Sequence, residues 1–535
     1  MKARKILYVP VIFIVLLGMI ISGCAPTATQ VAPTNVETKA TEVPSTPTVN
    51  RGGTLTVARE LEPLTFDPFI PGDNGSIYLL VQVLEPLVRA DATGAGVEPC
   101  LAESWDISAD KLTYTFHLRD VKFSNGDPLT AADVEYSVNK AAKDSGLSFI
   151  FNPIDNIKVV DDKTVQFKLK LVYAPFLSSL SLFTSSIVPK AVHEKDPEGF
   201  GDKPIGTGPF MVEEYKRGEQ VVLVKNPNYW GVGVDGKALP YLDKVIIKYV
   251  PEATTRILGF RNKDYDVLVA VPLNEADSIK TLPDVTLEVQ PIYALNYVYL
   301  NHQNPPLDNR DFRLAINYAT DRQAILKNVY FNYGEVPNSF MPKMNFWSKD
   351  VPLIPFDIAK AKELVGKSGY NGEVIDILVA SGDTTQKQTA TMMQQSWGEA
   401  GIKSTIRELD SGAIWDEIIK GTYMANVSGI TSDINDDDEL ATLEADSSAP
   451  GDFHSFFSWY KNDDVSKLLA QAREASDPAT RAGFYKQVQQ IAYYQDGYNV
   501  PINFVPYVNA YYNKVHGWRN LTVGWWWLKD VWVEK

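Results

Sequence analysis

The chain has 535 residues, 45% of them hydrophobic and 22% charged, and carries a formal charge of −15 at pH 7. That length exceeds what one core supports, so two or three domains are expected. The acidic balance excludes a nucleic-acid binder, whose phosphate contacts need a basic footprint.

The N-terminus carries the first instruction. MKARK is a basic leader, ILYVPVIFIVLLGMI an unbroken apolar stretch, and ISGC a run of small residues ending at Cys24. This layout predicts a lipoprotein signal over 1–23, with Cys24 lipidated as the mature N-terminus. The alternative is an uncleaved membrane anchor, since the apolar run is near the short limit for a span. Either one leaves the bulk of the chain outside the cytoplasm and held to a membrane. Only Cys24 and Cys100 exist, so lipidation of Cys24 leaves no intrachain disulfide, and Cys100 reads as a small buried apolar residue. Residues 24–50 are dominated by Thr, Pro, Ala and Val without an aromatic, which predicts a flexible tether. It would reach on the order of 30 Å as a coil and roughly 80 Å when extended.

The folded part opens with the alternating strand RGGTLTVARE. LTYTFHLR (112–119) is a second strand, and LTAADVEYSVNKAAK (129–143) an amphipathic helix with Thr130 as N-cap and Asp133 three residues on. IKVVDDKTVQFKLK and FMVEEYKRGEQVVLVKN each read as two strands around a polar turn. From about residue 310 the rhythm changes. FRLAINYATDRQAILKNVY is helical, then VIDILVA, TQKQTATMMQQSWGEA, KSTIREL, AIWDEIIKG and YMANVSGI alternate strand and helix. Such alternation implies crossovers and a mainly parallel sheet. The helices VSKLLAQAREA and FYKQVQQIAYYQ and a last extended run, VPINFVPYVNAYYN, complete a mixed α/β chain.

Catalytic signatures do not assemble. GKS at 366–368 lacks the Gly five residues before Gly366, where Ala361 stands, so it is no phosphate loop. His117, His193, His302, His454 and His516 are scattered and have no cysteine cluster beside them, which argues against zinc. There is no Gly-x-Ser-x-Gly elbow, and SVNK (137–140) stands alone in a helix. A surface hydrolase remains a competitor only because any two carboxylates can converge. The 11 Trp and 26 Tyr, with GWWWLKDVW near the C-terminus, serve either core packing or stacking on sugars and side chains in a cleft.

Three long blocks, LAESWDISADKLTYTFHLRDVKFSNGDPLTAADVEYSV, PIGTGPFMVEEYKRGEQVVLVKNPNYW and PPLDNRDFRLAINYATDRQAILKNVYFNYGEVPNSFMP, closely resemble the signature blocks of extracellular solute-binding proteins of the peptide/nickel class. Those proteins serve ABC importers, and the resemblance runs from about 51 to 535. It implies a two-lobe periplasmic-binding-protein fold, class II-like, with the ligand in the interlobe cleft. Lobe I would take 51–75, 205–299 and 498–535; an extra domain 76–204; and lobe II 300–497, with hinges near Asn301 and Gly497. Gly206 and Gly208 of PIGTGPF are expected to serve tight turns.

For the ligand, the resemblance points to TSDINDDDEL (431–440). Asp433 falls on the aspartate that anchors a peptide's α-ammonium in peptide-binding members and Asp436 on the second Asp of that motif, but Ile430, Ile434 and Asp437 replace the Trp, Tyr and Pro around them. Tyr297 falls near a cleft-lining aromatic, and Trp459 and Asn74 are further candidates for the lining. A calcium loop is a rival: Asp433, Asn435 and Asp437 at positions 1, 3 and 5 and Glu444 at position 12 match the spacing, while Asp438 stands where Gly is needed. The expectation is a monomeric, cofactor-free, lipid-anchored receptor that hands oligopeptides, or alternatively oligosaccharides, to a permease driven by ATPase subunits.

Overall fold

The computed structural model describes residues 49–70, 73–91, 93–94, 96–448, 455 and 458–535. The signal, Cys24 and nearly all of the tether lie outside them. Among the described residues no helix is long and apolar enough to cross a membrane.

In chain order, the elements that position the site are β1 (Thr54–Arg59), α1 (Asn74–Leu80), β2 (Ala102–Ile107), β3 (Thr113–Leu118), α2 (Ala131–Asp144), β4 (Ile154–Asp161) and β5 (Thr164–Leu169). Next come β6 (Phe210–Lys216), β7 (Gln220–Lys225), β8 (Lys244–Tyr249), β9 (Val267–Leu268), the long β10 (Val285–Leu300) and α3 (Arg310–Ala319). The second half holds β11 (Ile375–Ala380), α4 (Thr384–Glu399), β12 (Ser404–Leu409), α5 (Ser411–Lys420), β13 (Ala425–Thr431), α6 (Asp438–Ala445), α7 (Asp463–Glu474), α8 (Pro478–Gln489) and β14 (Val500–Tyr512).

Ten strands form one sheet in the order β12-β11-β13-β10-β14-β9-β1-β8-β7-β6. The β11–β12 and β11–β13 pairs are parallel, as the helices between those strands require, and β1 is parallel to β8 and β9. Strands β10 and β14 run through both halves of the sheet. Pro291 and the residues before it pair only with β14; from Ala294 onward β10 also holds β13, and its register with β14 breaks between Pro291 and Leu295. The chain therefore crosses from one lobe to the other at 291–295 and 504–506. Asn301 and Gly497, the hinge points expected from sequence, lie just beyond the ends of these strands, because the crossing is made by unbroken strands that no loop marks.

A separate four-stranded antiparallel sheet, β2-β3-β5-β4, forms the extra domain. Its helix α2 starts with the capping box read from sequence: Thr130 N–H and Oγ1–H both donate to Asp133 Oδ2, at 2.9 and 2.8 Å. One core joins this domain to the first lobe and takes in Leu55, Tyr78, Phe116, Val138, Trp525, Trp526 and Trp527. A second, inside the other lobe, holds Val298, Phe312, Ile377 and Trp397. Cys100 is fully buried, its Sγ 3.6 Å from Glu85 Oε1, and burial pushes its thiol pKa well up.

The glycines of PIGTGPF have a different reason from the one expected. Neither is in the left-handed region. Instead the chain lies against Val83: a Cβ on Gly206 would meet the Val83 carbonyl oxygen at 2.0 Å, and one on Gly208 would meet it at 2.7 Å. Gly208 N–H donates to that same oxygen at 2.9 Å. Close approach, then, excludes the side chain. Gly206→Ala should cost about 1–3 kcal/mol in urea unfolding by forcing backbone apart. Gly366→Ala, in a helix with open space around it, should instead stabilise by up to about 1 kcal/mol; equal effects at both positions would contradict this reading.

Candidate ligand site between the lobes

The acidic run leaves β13 at Thr431, beside Ala294 of β10, and enters α6 at Asp438. Seven carboxylates lie between 433 and 446, and six are taken up by the protein itself. Asp436 is held bidentately by Arg481 at 2.7 and 2.8 Å, both side chains buried. Asp438 accepts from Arg473 Nε at 2.9 Å and from the Tyr173 hydroxyl of the extra domain at 2.9 Å. Asp446 accepts from the same guanidinium at 2.5 Å. Asp437 accepts from Phe346 N–H at 3.1 Å, and burial, followed by the charge of Asp436, pushes its pKa up to about 8. Glu439 Oε2 accepts from Ser432 Oγ and from the backbone N–H groups of Asp433 and Ile434, at 2.9, 2.9 and 3.2 Å, and burial pushes it up to about 7. Glu444 lies inside the second lobe, where the hydroxyls of Tyr297, Tyr498 and Tyr299 donate to it at 2.6, 2.8 and 3.3 Å; burial pushes it up to about 7.

Asp433 is the exception. Its side chain makes no hydrogen bond or ion pair with any described residue. It keeps a minority of its surface accessible and is otherwise closely surrounded by protein. Enclosure first, and the neighbouring Glu439 charge second, raise its pKa well above the ordinary range. Across from it stands Tyr78 of α1, whose phenol is pushed up to about 12 by burial, with the Asp433 charge among the lesser causes. A Cβ on Gly524, a residue at φ +98°, would meet Tyr78 Oη at 3.0 Å, Thr431 Cγ2 at 3.7 Å and Ile292 Cδ1 at 3.9 Å. Both lobes and the tryptophan-rich loop therefore meet at one point beside Asp433. Trp526 packs edge-on against Tyr78 at 6.2 Å and Tyr507 lies 6.0 Å from it. The Arg59 guanidinium sits 5.3 Å over the Tyr78 ring, but its hydrogen bonds go to the carbonyls of Asn74 and Gly75.

The other sequence candidates land elsewhere or nearby. Tyr297 is fully buried, bonded to Tyr299 and Glu444 inside the second lobe, and is not a cleft wall. Its alternate-residue neighbour Tyr299 shares its face of β10, the face that looks at α6. Trp459 lies against Gly421, where a Cβ would meet its ring at 3.1 Å. The Gly421 carbonyl accepts from Asn301, past the end of β10 away from Asp433. Six residues of strand, about 20 Å, separate the two. Asn74 is exposed at the start of α1, one turn before Tyr78 and on the same helix face.

The calcium spacing does not fold into a loop. From Asp438 the chain is helical, so Asp437 and Glu444 are about 10 Å apart along the axis. Glu444 is enclosed by tyrosines, and the Asn435 amide donates to the Gly96 carbonyl at 2.9 Å. Among the described residues no three His, Cys, Asp or Glu side chains converge to hold an ion.

Tyr78, Tyr507, Glu439 and Arg59 went unnoticed in the sequence. Arg59 alone left a signal: it ends a strand in a parallel pair, where open α/β sheets carry their ligands.

Residues 96–451 match the family described as bacterial extracellular solute-binding proteins, family 5. The chain belongs to that family. A probable D,D-dipeptide-binding periplasmic protein of Escherichia coli, DdpA, is 29% identical over 450 residues, covering 82% of this chain and 86% of its own. Heme-binding protein A of Haemophilus influenzae is 29% identical, covering 81% and 84%. Among solved structures, the ABC transporter-associated periplasmic binding protein DppA of Helicobacter pylori, in complex with the peptide STSA, superposes with a TM-score of 0.80 at 29% identity, over 91% of this chain and 99% of that one. The fold is thus the two-lobe binding-protein fold, and the chain is an extracellular substrate-binding protein of ABC import and not an enzyme.

Glu444 gives a pH signature. Its pKa is about 7 in the folded protein against an ordinary 4.5, so between those values the folded state keeps a proton that the unfolded chain releases. Stability from this group is fully present at acid pH and declines by up to about 1.4 kcal/mol per pH unit until pH 7, then levels off. Urea unfolding of wild type and Glu444→Gln from pH 5 to 8 should therefore show wild type losing ground to the variant up to pH 7; parallel curves would refute the assignment.

Proposed function

We propose that this solute-binding protein captures peptides with a free N-terminus and that Asp433 holds their α-ammonium in the interlobe cleft. One observation carries the reading: in a run of seven carboxylates, six accept hydrogen bonds from the protein and Asp433 accepts none from any described residue. A confined carboxylate without a partner is expensive. An ammonium placed there restores the ionised form and gains a charge-assisted hydrogen bond. The D,D-dipeptide for which DdpA is named and the peptide STSA bound to DppA agree with this chemistry. The tryptophans give the sugar alternative less support than their number suggests, because five of the eleven, Trp397, Trp518, Trp525, Trp526 and Trp527, are buried.

Around this receptor we place the remaining sequence readings. Cys24 carries the lipid, residues 24–50 tether a monomer near the membrane, and a permease with its ATPase subunits takes the peptide. Domain boundaries follow the crossing strands: the second lobe takes about 295–504, the extra domain 76–204, and the first lobe the rest from 51.

Calorimetric titration tests the ammonium contact. Asp433→Asn should weaken binding of a free tripeptide by roughly 30-fold or more, the loss expected for one member of a buried charged pair. N-acetylation of the peptide should weaken binding to wild type by a similar factor and leave the variant nearly indifferent. Equal affinity for free and acetylated peptides would refute the proposal.

A further inference from the structure

The extra domain meets the second lobe directly, away from the crossing strands. Tyr173 and Ala174 follow β5 closely. The Tyr173 hydroxyl donates to Asp438 Oδ2 of α6 at 2.9 Å, and the Ala174 N–H donates to the Arg473 carbonyl, in the last turn of α7, at 2.7 Å. At a second place the Asn435 amide reaches the Gly96 carbonyl at 2.9 Å, and at a third, exposed, the Lys111 ammonium donates to Ser476 Oγ. Leu440 and Leu443 of α6 are buried in the same core as Ile150 and Tyr173. Four hydrogen bonds and an apolar patch thus join two parts that the chain itself links only through the first lobe.

The two sides of the extra domain are held differently. Toward the first lobe the backbone passes straight across, Thr207 and Trp230 donate to buried Glu85 at 2.9 and 2.8 Å, and the 206–208 stretch lies against Val83. Toward the second lobe there is only the contact just described. A rotation of the lobes about the crossing strands at 291–295 and 504–506 therefore carries the extra domain with the first lobe and parts it from α6 and α7.

Parting leaves no buried charge alone. Asp438 has one oxygen on Arg473 Nε at 2.9 Å and the other on Tyr173, so it keeps its cation when Tyr173 withdraws. The Arg473 carbonyl belongs to a helix end, where carbonyls lack intrahelical partners, and water can replace Ala174 there. What opening loses is the hydrogen bonds themselves and the cover over Leu440 and Leu443.

We propose that this contact is a closure latch, through which residues of the extra domain outside the surroundings of Asp433 hold the lobes together and set the affinity of the cleft. A bond made only in the closed arrangement raises the closed population, and any ligand the cleft encloses gains from it. The latch does not depend on the ammonium reading.

The test is residue-resolved hydrogen exchange of the full chain without added ligand, together with calorimetric titration of Ala-Ala-Ala. The Ala174 amide is protected by the second lobe, and the Leu169 amide by the Leu112 carbonyl, at 2.7 Å, inside the extra domain. In Tyr173→Phe, which keeps the ring and loses the hydroxyl, exchange at Ala174 should rise about three- to tenfold while Leu169 keeps its wild-type rate. Asn435→Ala acts from the second lobe at the Gly96 end and should speed Ala174 in the same way. Both variants should bind Ala-Ala-Ala about three- to tenfold more weakly than wild type. Unchanged exchange at Ala174, equal acceleration at Leu169, or faster exchange with unaltered affinity would each overturn the latch. Failure of Ala-Ala-Ala to bind wild type would overturn the ammonium reading and leave exchange at Ala174 to decide the latch.

Discussion

Burying a carboxylate costs several kcal/mol unless the protein supplies a cation or donors in its place, and this chain buries a run of them where its lobes meet. The arginines that meet the demand come from α7 and α8, the tyrosines from the extra domain, from β10 and from just before β14, and the amides from neighbouring backbone. Each of these pairings pins α6 to a different part of the molecule. Arg473 ties α6 to α7, Arg481 ties the turn just before it to α8 through Asp436, and Tyr173 ties it to the extra domain. Glu444 anchors its far end under β10. The helix is positioned by its acids, and that positioning leaves Asp433 between the lobes with no donor among the described residues.

How legible this was depends on the distance over which each interaction acts. The Thr130–Asp133 capping box, the β4–β5 hairpin and the strand–helix alternation after 370 were readable because each is decided by residues a few positions apart. The fate of the acidic run was not. Its spacing fits a calcium loop, but Arg473, Arg481, Tyr173 and Tyr297 approach from 27 to 265 residues away, and only the fold brings them in. Asp433 was reached through resemblance to a family motif, not through any property of the segment itself. Tyr297 was misread for the reverse reason: one of 26 tyrosines on a strand that crosses both lobes, it can look into the cleft or into the second lobe, and pairing with Glu444 decides for the latter.

The replaced residues around Asp433 also gain a meaning. Ile434, which stands where peptide-binding members of the resembled class carry Tyr, is buried in the core that the extra domain shares with the first lobe. Asp437, in place of Pro, receives the Phe346 N–H. The aromatic frame absent from the motif is met by Tyr78 of α1 and Tyr507 of β14, with Trp526 behind Tyr78. The same anchor thus sits in a differently built wall, which is how one fold holds ligands as unlike as those named for its relatives.

The central claim is that Asp433 is the one carboxylate of the run reserved for a ligand's positive charge. A crystal structure of the protein with a bound tripeptide tests it most directly. The account predicts the peptide's terminal nitrogen within about 3 Å of an Asp433 carboxylate oxygen, with Asp436, Asp438 and Glu444 still on Arg481, Arg473 and the tyrosines. A peptide whose terminal nitrogen lies elsewhere, with Asp433 bonded only to protein, would contradict it.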